Sequence, residues 1–325
     1  MRKPAVPLLL LALNAMPALP QAALAAAVPV ELAPGIHLIP GRFVPGEQPD
    51  GNSVVWTAPE GLVVVDSGRH RDHTQAIVDF ARAAKLPVAV VVNTHWHLDH
   101  LGGNAMLRRE FPGVQVLASD AFAGALGGFL ARYREDLEGA VAKAGPEGAA
   151  NERAELALLD AAPALAPDEV VAASGPRRLA GRELAVTLER HAVTAGDLWL
   201  LDRESGVLAA GDLVTLPVPF LDTACPERWR AALDRLASAE FTRLVPGHGP
   251  PLDRAGVERY RRAFGTLLDC AASGRSKESC ADGWIGDLGP LLPETGQAFA
   301  RQLLDYYVET VLRATPAARA GLCGS

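Results

Sequence analysis

The sequence predicts an α/β fold that carries a helical insert. The 325 residues are 49% hydrophobic and 21% charged, which is typical of a globular chain with a substantial core. Short β-branched runs such as "PVAVVVN" alternate with segments whose apolar residues recur near every 3.6 positions. Because no internal repeat or linker stands out between these segments, we expect one domain over residues 28–325.

Residues 1–27 have the pattern of a secretory signal peptide. Arg2 and Lys3 precede the apolar stretch "PAVPLLLLALNAMPAL", and small residues follow at "AALAAA". A membrane anchor needs about 20 apolar residues, whereas Asn14, Gln21 and three prolines interrupt this stretch. We therefore expect the signal to be removed and the mature chain to be periplasmic, without stable membrane insertion.

The mature chain is acidic. Loss of Arg2 and Lys3 leaves 29 of the 31 basic residues against 38 acidic ones, a net charge near −9. Binding to nucleic acids depends on basic side chains that neutralise phosphates. The composition therefore argues against a nucleic-acid partner.

The first half of the chain alternates strands and helices. The segments "GIHLIPG", "NSVVWTA" and "GLVVVDSG" within residues 28–66 predict short strands separated by Gly/Pro turns. The segment "HTQAIVDFARAAKL" predicts a helix, and "PVAVVVN" predicts a strand covered on both faces. A short helix at "NAMLRREF" and a strand at "VQVLAS" follow.

The second half begins with the helical insert. Residues 120–167 are rich in Ala, Leu and Glu and predict two or three helices broken near Gly145–Pro146. Whether this insert covers a site as a lid is left open. Strands resume at "ELAVTLER", "DLWLLD" and "GVLAAGD", and a helix at "PERWRAALDRLASA" precedes the strand "RLVPGHG". Residues 253–325 are predicted to be mainly helical.

The four cysteines all lie in the last third of the sequence. In an oxidising compartment an even number favours two disulfides, with three possible connectivities, and free thiols are the alternative. Cys270–Cys280 closes the shortest loop, which would leave Cys225–Cys323 to hold the C-terminus.

The stretch "NTHWHLDH" places four potential metal ligands after a buried strand. In an extended segment alternate side chains share a face, so His95, His97 and Asp99 are predicted to point the same way, with His100 beside them. Imidazole and carboxylate groups suit zinc and related divalent ions. The stretch therefore predicts a metal site.

Three later residues occupy similar positions at predicted strand ends. His191 follows "ELAVTLER", Asp212 ends "GVLAAGD", and His248 follows "RLVPG". Together with the first four they give enough ligands for two metal ions. The other histidines lack this spacing, and we expect surface or turn roles for them: His37, His70 and His73.

The ordered set "HWHLDH", a later histidine, "GD" and "GHG" resembles the metallo-β-lactamase superfamily. The resemblance implies an αββα sandwich that places these strand ends along one edge. By position, it implies one ion held by His95, His97 and His191, a second held by Asp99, His100 and His248, and Asp212 between them.

This resemblance also implies a reaction class. Two zinc ions would activate a bound hydroxide for attack on an ester, thioester, lactone or related small-molecule electrophile. Asp99 is the candidate catalytic residue, because it could orient the nucleophile or take its proton. Iron or manganese also suits such ligands. The segment "PVPFLDTAC", residues 217–225, has two alternative interpretations: it forms part of the wall of the substrate site, or it is an ordinary loop.

Asp212 distinguishes branches of the family. Resistance-type β-lactamases generally carry cysteine or serine there, so the aspartate favours the broader hydrolases. The export signal, "HAVTAGDLWL" and "VPGHGP" are similar to the quinoprotein relay system zinc metallohydrolases, which implies a functional link to a quinoprotein dehydrogenase pathway.

Three alternatives accompany the hydrolase hypothesis. A single-iron thiol or persulfide dioxygenase would need only two histidines and an aspartate, and the complete second set of ligands weighs against it. A β-lactamase and a non-catalytic periplasmic protein that binds a metal or a partner are the others. Metal content and substrate turnover distinguish all three from the hydrolase.

Overall fold

Two β-sheets packed face to face form the centre of the protein. The computed structural model describes residues 27–43, 48–144, 148–292 and 294–324, so the predicted signal peptide lies almost entirely outside the described residues. The first sheet has the order β1-β2-β3-β4-β5-β6-β7. Its strands are β1 Val30–Ala33, β2 Ile36–Ile39, β3 Ser53–Ala58, β4 Gly61–Val65, β5 Val88–Val92, β6 Gln115–Ala118 and β7 Glu169–Val170. Pairing is antiparallel from β1 to β4 and parallel from β4 to β7.

The second sheet is smaller and has the order β12-β11-β10-β9-β8. Its strands are β8 Gly175–Leu179, β9 Arg182–Glu189, β10 Asp197–Asp202, β11 Val207–Ala209 and β12 Arg243–Val245. The pairs β8–β9, β9–β10 and β10–β11 are antiparallel, and β11–β12 is parallel. The parallel pair matters for the site because it brings the carboxyl ends of β11 and β12 together.

Side-chain alternation explains how the first sheet joins two layers. Val54 and Trp56 of β3 lie in the core between the sheets, while Val55 between them packs toward the helices on the outer face. This period of two follows from the pleat of a strand. Both faces are apolar, as the β-branched runs predicted, because each face is covered by another layer.

Helices cover both outer faces. The helices on the side of the first sheet are α1 Arg71–Ala84, α2 Leu98–Leu101 and α3 Asn104–Glu110. The helices that follow β11 in the chain are α8 Pro226–Ser238, α9 Arg254–Ala272, α10 Lys277–Leu288, α11 Glu294–Tyr307 and α12 Pro316–Cys323. Trp229 of α8 and Phe264 of α9 are fully buried in the core on the outer face of the second sheet. The predicted αββα sandwich and the helical C-terminal region are confirmed.

The predicted insert is also helical. Residues 120–167 contain α4 Ala121–Gly127, α5 Phe129–Ala144, α6 Ala150–Asp160 and α7 Ala162–Leu165. The predicted break at Gly145–Pro146 lies outside the described residues. The insert packs Phe122, Leu130 and Tyr133 against Trp96 and Leu98 of the metal-ligand stretch. It is therefore part of a buried apolar cluster beside that stretch.

One local prediction is wrong. Residues 95–100 do not form a single extended segment, because helix α2 begins at Leu98. Leu98 and Leu101 are buried against the insert, which turns the intervening polar residues toward the sheet edge.

Two covalent links hold the C-terminal region. Disulfides join Cys225 to Cys323 and Cys270 to Cys280, as the even cysteine count suggested. None of the described helices combines the length and apolar character needed to cross a membrane.

Candidate metal centre

The candidate site lies where strand ends of the two sheets meet. His95 and His97 follow β5, Asp212 follows β11, and His248 follows β12. Asp99 belongs to the single turn of α2. The sandwich therefore brings together groups that are far apart in the sequence, and it holds each of them close to a rigid strand.

Six predicted residues form two groups of ligand atoms. In each group the nitrogen and oxygen atoms lie within 4.8 Å of one another. The first group is His95, His97 and Asp212, and the second is Asp99, His100 and His248. Five of the six side chains are buried, and that of His248 is 13% exposed.

Asp212 lies between the two groups. Its Oδ2 is 3.7 Å from His95 Nε2, and its Oδ1 is 3.3 Å from His100 Nε2. The same Oδ1 is 3.6 Å from His248 Nε2. One carboxylate thus faces both groups of ligand atoms.

Gly247 makes this arrangement possible. A Cβ built at Gly247 would lie 1.9 Å from Asp212 Oδ1, a distance that no side chain tolerates. A glycine is therefore required for the loop after β12 to approach Asp212 and to place His248 beside it.

Hydrogen bonds fix the tautomer of His95. Thr94 donates its hydroxyl proton to Asp66 Oδ2 at 2.8 Å, so this hydroxyl accepts from His95 Nδ1–H at 2.9 Å. A hydroxyl has one proton to donate. The Nε2 lone pair of His95 is consequently directed into the site.

A second pair of hydrogen bonds fixes the tautomer of His97. The Thr223 hydroxyl donates to the Val193 carbonyl at 2.9 Å and accepts from His97 Nε2–H, also at 2.9 Å. The Nδ1 lone pair of His97 therefore faces His95 Nε2, and the two nitrogens are 2.9 Å apart. Two lone pairs at this distance repel each other unless a cation lies between them, so the pair fits a metal ion.

Asp66 supports the second group. It lies directly after β4 with the left-handed φ of 62°, an uncommon backbone angle for a residue with a side chain. Its Oδ2 accepts a hydrogen bond from His100 Nδ1–H at 2.8 Å, which leaves Nε2 for a metal. His100 Nε2 and Asp212 Oδ1 are buried without a hydrogen-bond partner. A histidine held by a carboxylate on its far nitrogen is typical of metal sites.

The charges differ between the two groups. Burial lowers the pKa of His95 well below its ordinary value and that of His97 to about 4, so both rings are neutral near pH 7. Burial would also lower the pKa of His100, but the surrounding carboxylates, led by Asp212, raise it well above its ordinary range. The second group thus favours a positive charge, which a bound cation would supply.

Asp99 is held as a carboxylate. Burial would raise its pKa, but the positive charges of His100 and His248 outweigh this effect and hold the pKa well below its usual range. Its Oδ2 is 3.0 Å from His248 Nε2. An ionised Asp99 can bind a metal ion or accept a proton.

The structure departs from the predicted ligand set at His191. Among the described residues, His191 belongs to neither group of ligand atoms. Its Nδ1–H donates to the Leu322 carbonyl at 3.0 Å. A Cβ on Gly324 would lie 2.5 Å from its Nε2, so the C-terminal main chain packs against this ring. The position beside His97 is instead taken by Thr223, whose neighbourhood is fixed by the Cys225–Cys323 disulfide.

The remaining histidines lie outside both groups. The half-buried His70 bonds Asp50 Oδ2 at 2.9 Å, and His37 packs against Phe80. His73 is 4% exposed, so the expected surface or turn role is wrong for it, and its Nε2 hydrogen-bonds Ser53 Oγ at 2.8 Å.

Sequence reasoning missed the residues that position the ligands. Asp66 carried a usable signal, because it ends the strand "GLVVVD" as the ligands end theirs. Thr223 gave no local signal, since it lies 126 residues from His97 and only the fold brings them together.

The αββα sandwich and the histidine–carboxylate groups at its edge define a metal-binding fold of the hydrolase type. Residues 47–248 match the family model of the metallo-beta-lactamase superfamily. Because the match covers more than half of the chain, this protein belongs to that superfamily.

Curated relatives span several activities. The chain is 27% identical over 239 residues to the linear primary-alkylsulfatase of Pseudomonas sp. (strain ATCC 19151), covering 66% of this chain and 44% of the relative. It is 34% identical over 76 residues to the atrochrysone carboxyl ACP thioesterase of Passalora fulva, covering 23% of this chain and 22% of the relative. The chain thus spans less than half the length of these relatives.

Solved structures share the fold. A metallo-beta-lactamase family protein from Thermus thermophilus has a TM-score of 0.58 and 19% identity, with 86% of this chain and 95% of that chain covered. The metallo-beta-lactamase from Pontibacter korlensis has a TM-score of 0.55 and 22% identity, with coverages of 73% and 98%. A sec-alkylsulfatase from Pseudomonas sp. has a TM-score of 0.58 and 19% identity, with coverages of 90% and 51%.

Proposed function

We propose that this protein is a periplasmic hydrolase that binds two zinc ions and cleaves an ester, thioester, lactone or related small molecule. The observation that carries the proposal is the pair of ligand groups joined by Asp212, with the lone pairs of His95 and His97 directed at each other. This donor set of imidazoles and carboxylates suits zinc, and it suits iron or manganese as well.

The residues have distinct tasks in this proposal. Bound divalent ions would supply an activated water and polarise the substrate's electrophilic centre. His95 and His97 hold their ligand nitrogens deprotonated near neutral pH because burial lowers both pKa values. Asp99, kept ionised by its surroundings, is the candidate residue for orienting the attacking water or taking its proton.

Aromatic side chains beside the metal groups support a substrate with an apolar part. Phe220 packs edge-on against His97 with ring centroids 5.4 Å apart, and it remains half-buried. Phe129 of the insert packs against Trp96 at the same centroid distance. Alkyl sulfates and carrier-bound thioesters, named among the relatives' activities, belong on the substrate panel for this reason.

The cellular setting is part of the proposal. Residues 1–27 support export, and two disulfides are consistent with an oxidising compartment. The similarity of "HAVTAGDLWL" and "VPGHGP" to the quinoprotein relay hydrolases supports a link to a quinoprotein dehydrogenase pathway.

Metal analysis of protein purified from the periplasm, followed by a substrate panel, tests the proposal. We expect about two zinc ions per chain and turnover of at least one of these classes: aryl esters, acyl thioesters, lactones and alkyl sulfates. The H97A and D212N variants should lose turnover while the exposed-residue variant D160N keeps it.

Other outcomes identify the alternatives. One iron per chain with thiol-dependent oxygen uptake would favour the dioxygenase. Rapid hydrolysis of a chromogenic cephalosporin would favour the β-lactamase. A metal-loaded protein that turns over nothing, and whose H97A variant loses only stability, would favour the non-catalytic binding protein.

Substrate shape is tested with one variant. In a series of aryl esters of increasing acyl length, F220A should raise KM for long acyl groups and leave acetyl esters nearly unchanged. F299A, which removes a partly buried ring packed against Phe43, is the control. Equal effects of F220A on short and long esters would contradict the apolar wall.

A further inference from the structure

We propose that Arg69 is a positioning residue for Asp99, and that the helical insert holds Arg69 in place through Glu155. This inference rests on the proposed metal centre. In this inference the insert helps to position a metal ligand and is not only a lid over the site.

Arg69 lies between two buried carboxylates. Its Nη2 is 3.6 Å from Asp99 Oδ1, and its Nη1 forms an ion pair with Glu155 Oε2. The side chains of Arg69 and Asp99 are each 9% exposed, and that of Glu155 is 7% exposed. At this depth water screens the charges little, so the pairing constrains all three side chains.

The main chain of Arg69 is fixed independently of its side chain. The amides of Arg69 and His70 both donate to Asp50 Oδ1, at 2.7 and 2.8 Å. The guanidinium therefore extends from an anchored backbone, and its direction is decided by the two carboxylates.

The insert positions Glu155, the ion-pair partner of Arg69. Glu155 is on α6, and the hydroxyl of Tyr133 on α5 donates to the same Oε2 at 3.1 Å. Both helices pack into the apolar cluster that contains Trp96 and Leu98. The insert thus carries a buried acceptor whose position depends on the packing of two helices.

The ion pair with Arg69 leaves one oxygen of Asp99 for the metal site. Oδ1 faces Arg69, whereas Oδ2 lies 3.0 Å from His248 Nε2 and 3.6 Å from His100 Nε2. Without Arg69, the carboxylate could rotate and present its oxygens differently. Neighbours that orient a ligand in this way typically change metal affinity or activity about 10- to 100-fold when they are replaced.

Cobalt binding to the metal-free mature protein tests the inference without any substrate. We expect R69M and E155Q to weaken the binding of one of two Co²⁺ ions by about 10- to 100-fold. We also expect both variants to change the visible absorption of the cobalt protein. R69K should recover only part of the affinity, because an ammonium group cannot contact two carboxylates as a planar guanidinium does.

The matched control is D160N. Asp160 on α6 accepts from Arg134 on α5 at 2.8 Å, so this pair also joins the two insert helices but is exposed. D160N should leave cobalt affinity and spectrum unchanged. If R69M and E155Q do not fold, Y133F decides, since it removes one hydrogen bond to Glu155 and should shift the spectrum in the same direction.

The outcomes separate this inference from the proposed function. If the wild-type protein binds two Co²⁺ ions and R69M binds them with the same affinity and spectrum, Arg69 does not position Asp99. If R69M differs but E155Q behaves like D160N, the insert does not hold Arg69. If the wild type binds no cobalt, both the metal centre and this inference are overturned.

Discussion

Thr223 shows how one hydroxyl decides the state of a ligand. It accepts from His97 Nε2–H because its own proton goes to the Val193 carbonyl. T223V keeps the shape of the side chain and removes this acceptor, so His97 loses the partner that fixes its tautomer. We expect a loss of zinc affinity of about 10- to 100-fold, measured by competition with a chromophoric chelator.

The control for T223V is T310V. Thr310 also donates to a backbone carbonyl, that of Tyr306 at 2.8 Å, but it is exposed and contacts neither group of ligand atoms. T310V should bind zinc as the wild type does. Wild-type affinity in T223V would show that the His97 ring is oriented by packing alone.

His73 gives stability a pH dependence of its own. Burial lowers its pKa from the ordinary value of 6.5. As the pH falls below about 6.5 the unfolded chain binds a proton that the folded protein takes up less readily, so stability decreases. H73N should therefore lose less stability than the wild type between pH 7 and pH 5. Urea unfolding of metal-free protein at several pH values measures this, and parallel curves would contradict it.

A disulfide joins the C-terminal helix α12 to the residue before helix α8. The Cys225–Cys323 bond joins residues 98 positions apart, whereas Cys270–Cys280 spans only 10. Chain-entropy estimates give about 4.7 kcal/mol for a loop of roughly 100 residues and less than about 3 kcal/mol for one of roughly 10. We expect C225A/C323A to lower the free energy of unfolding more than C270A/C280A, as measured by urea denaturation.

The reverse order of these two losses would contradict the loop argument. Without its disulfide α12 would keep contacts such as the Arg319–Glu227 ion pair at 2.6 Å and the hydrogen bond from His191 to Leu322. Glu227 is largely exposed, and exposed ion pairs contribute about 0–1 kcal/mol.

Across the molecule, the metal groups join the two sheets. His95 follows a strand of the first sheet, and Asp212 and His248 follow strands of the second. An ion that binds only the folded state raises the free energy of unfolding by about 2.7 kcal/mol when its concentration is a hundred times Kd. Chelation should therefore lower Tm, and added zinc should restore it.

Two variants sharpen this thermal experiment. H95N should lose the zinc-dependent rise in Tm, because His95 belongs to the first ligand group. H191N should keep it, because His191 hydrogen-bonds the C-terminal main chain instead. If H191N loses the zinc-dependent rise in Tm, His191 is a metal ligand after all.

Local sequence was enough to predict the layers of the fold and most of the side chains that gather at the candidate site. A β-branched run such as Val88–Val92 is typical of a strand covered on both faces, and polar residues that follow such a strand lie at an edge of the sheet. For this reason seven candidate ligands could be named before their distances were known, and six of them, all except His191, lie in the two groups. The helical nature of residues 120–167 also follows from composition and local spacing.

Which groups touch could be read only from the folded chain. Helix α2 forms because Leu98 and Leu101 gain burial against the insert, and no pattern within the ligand stretch reveals that partner. Thr223 lies beside His97, 126 positions away, and His191 turns to Leu322, 131 positions away. Residue type fixes what each side chain can do chemically. Long-range packing fixes which partner it meets, because contact energies depend on the whole fold and not on neighbours along the chain.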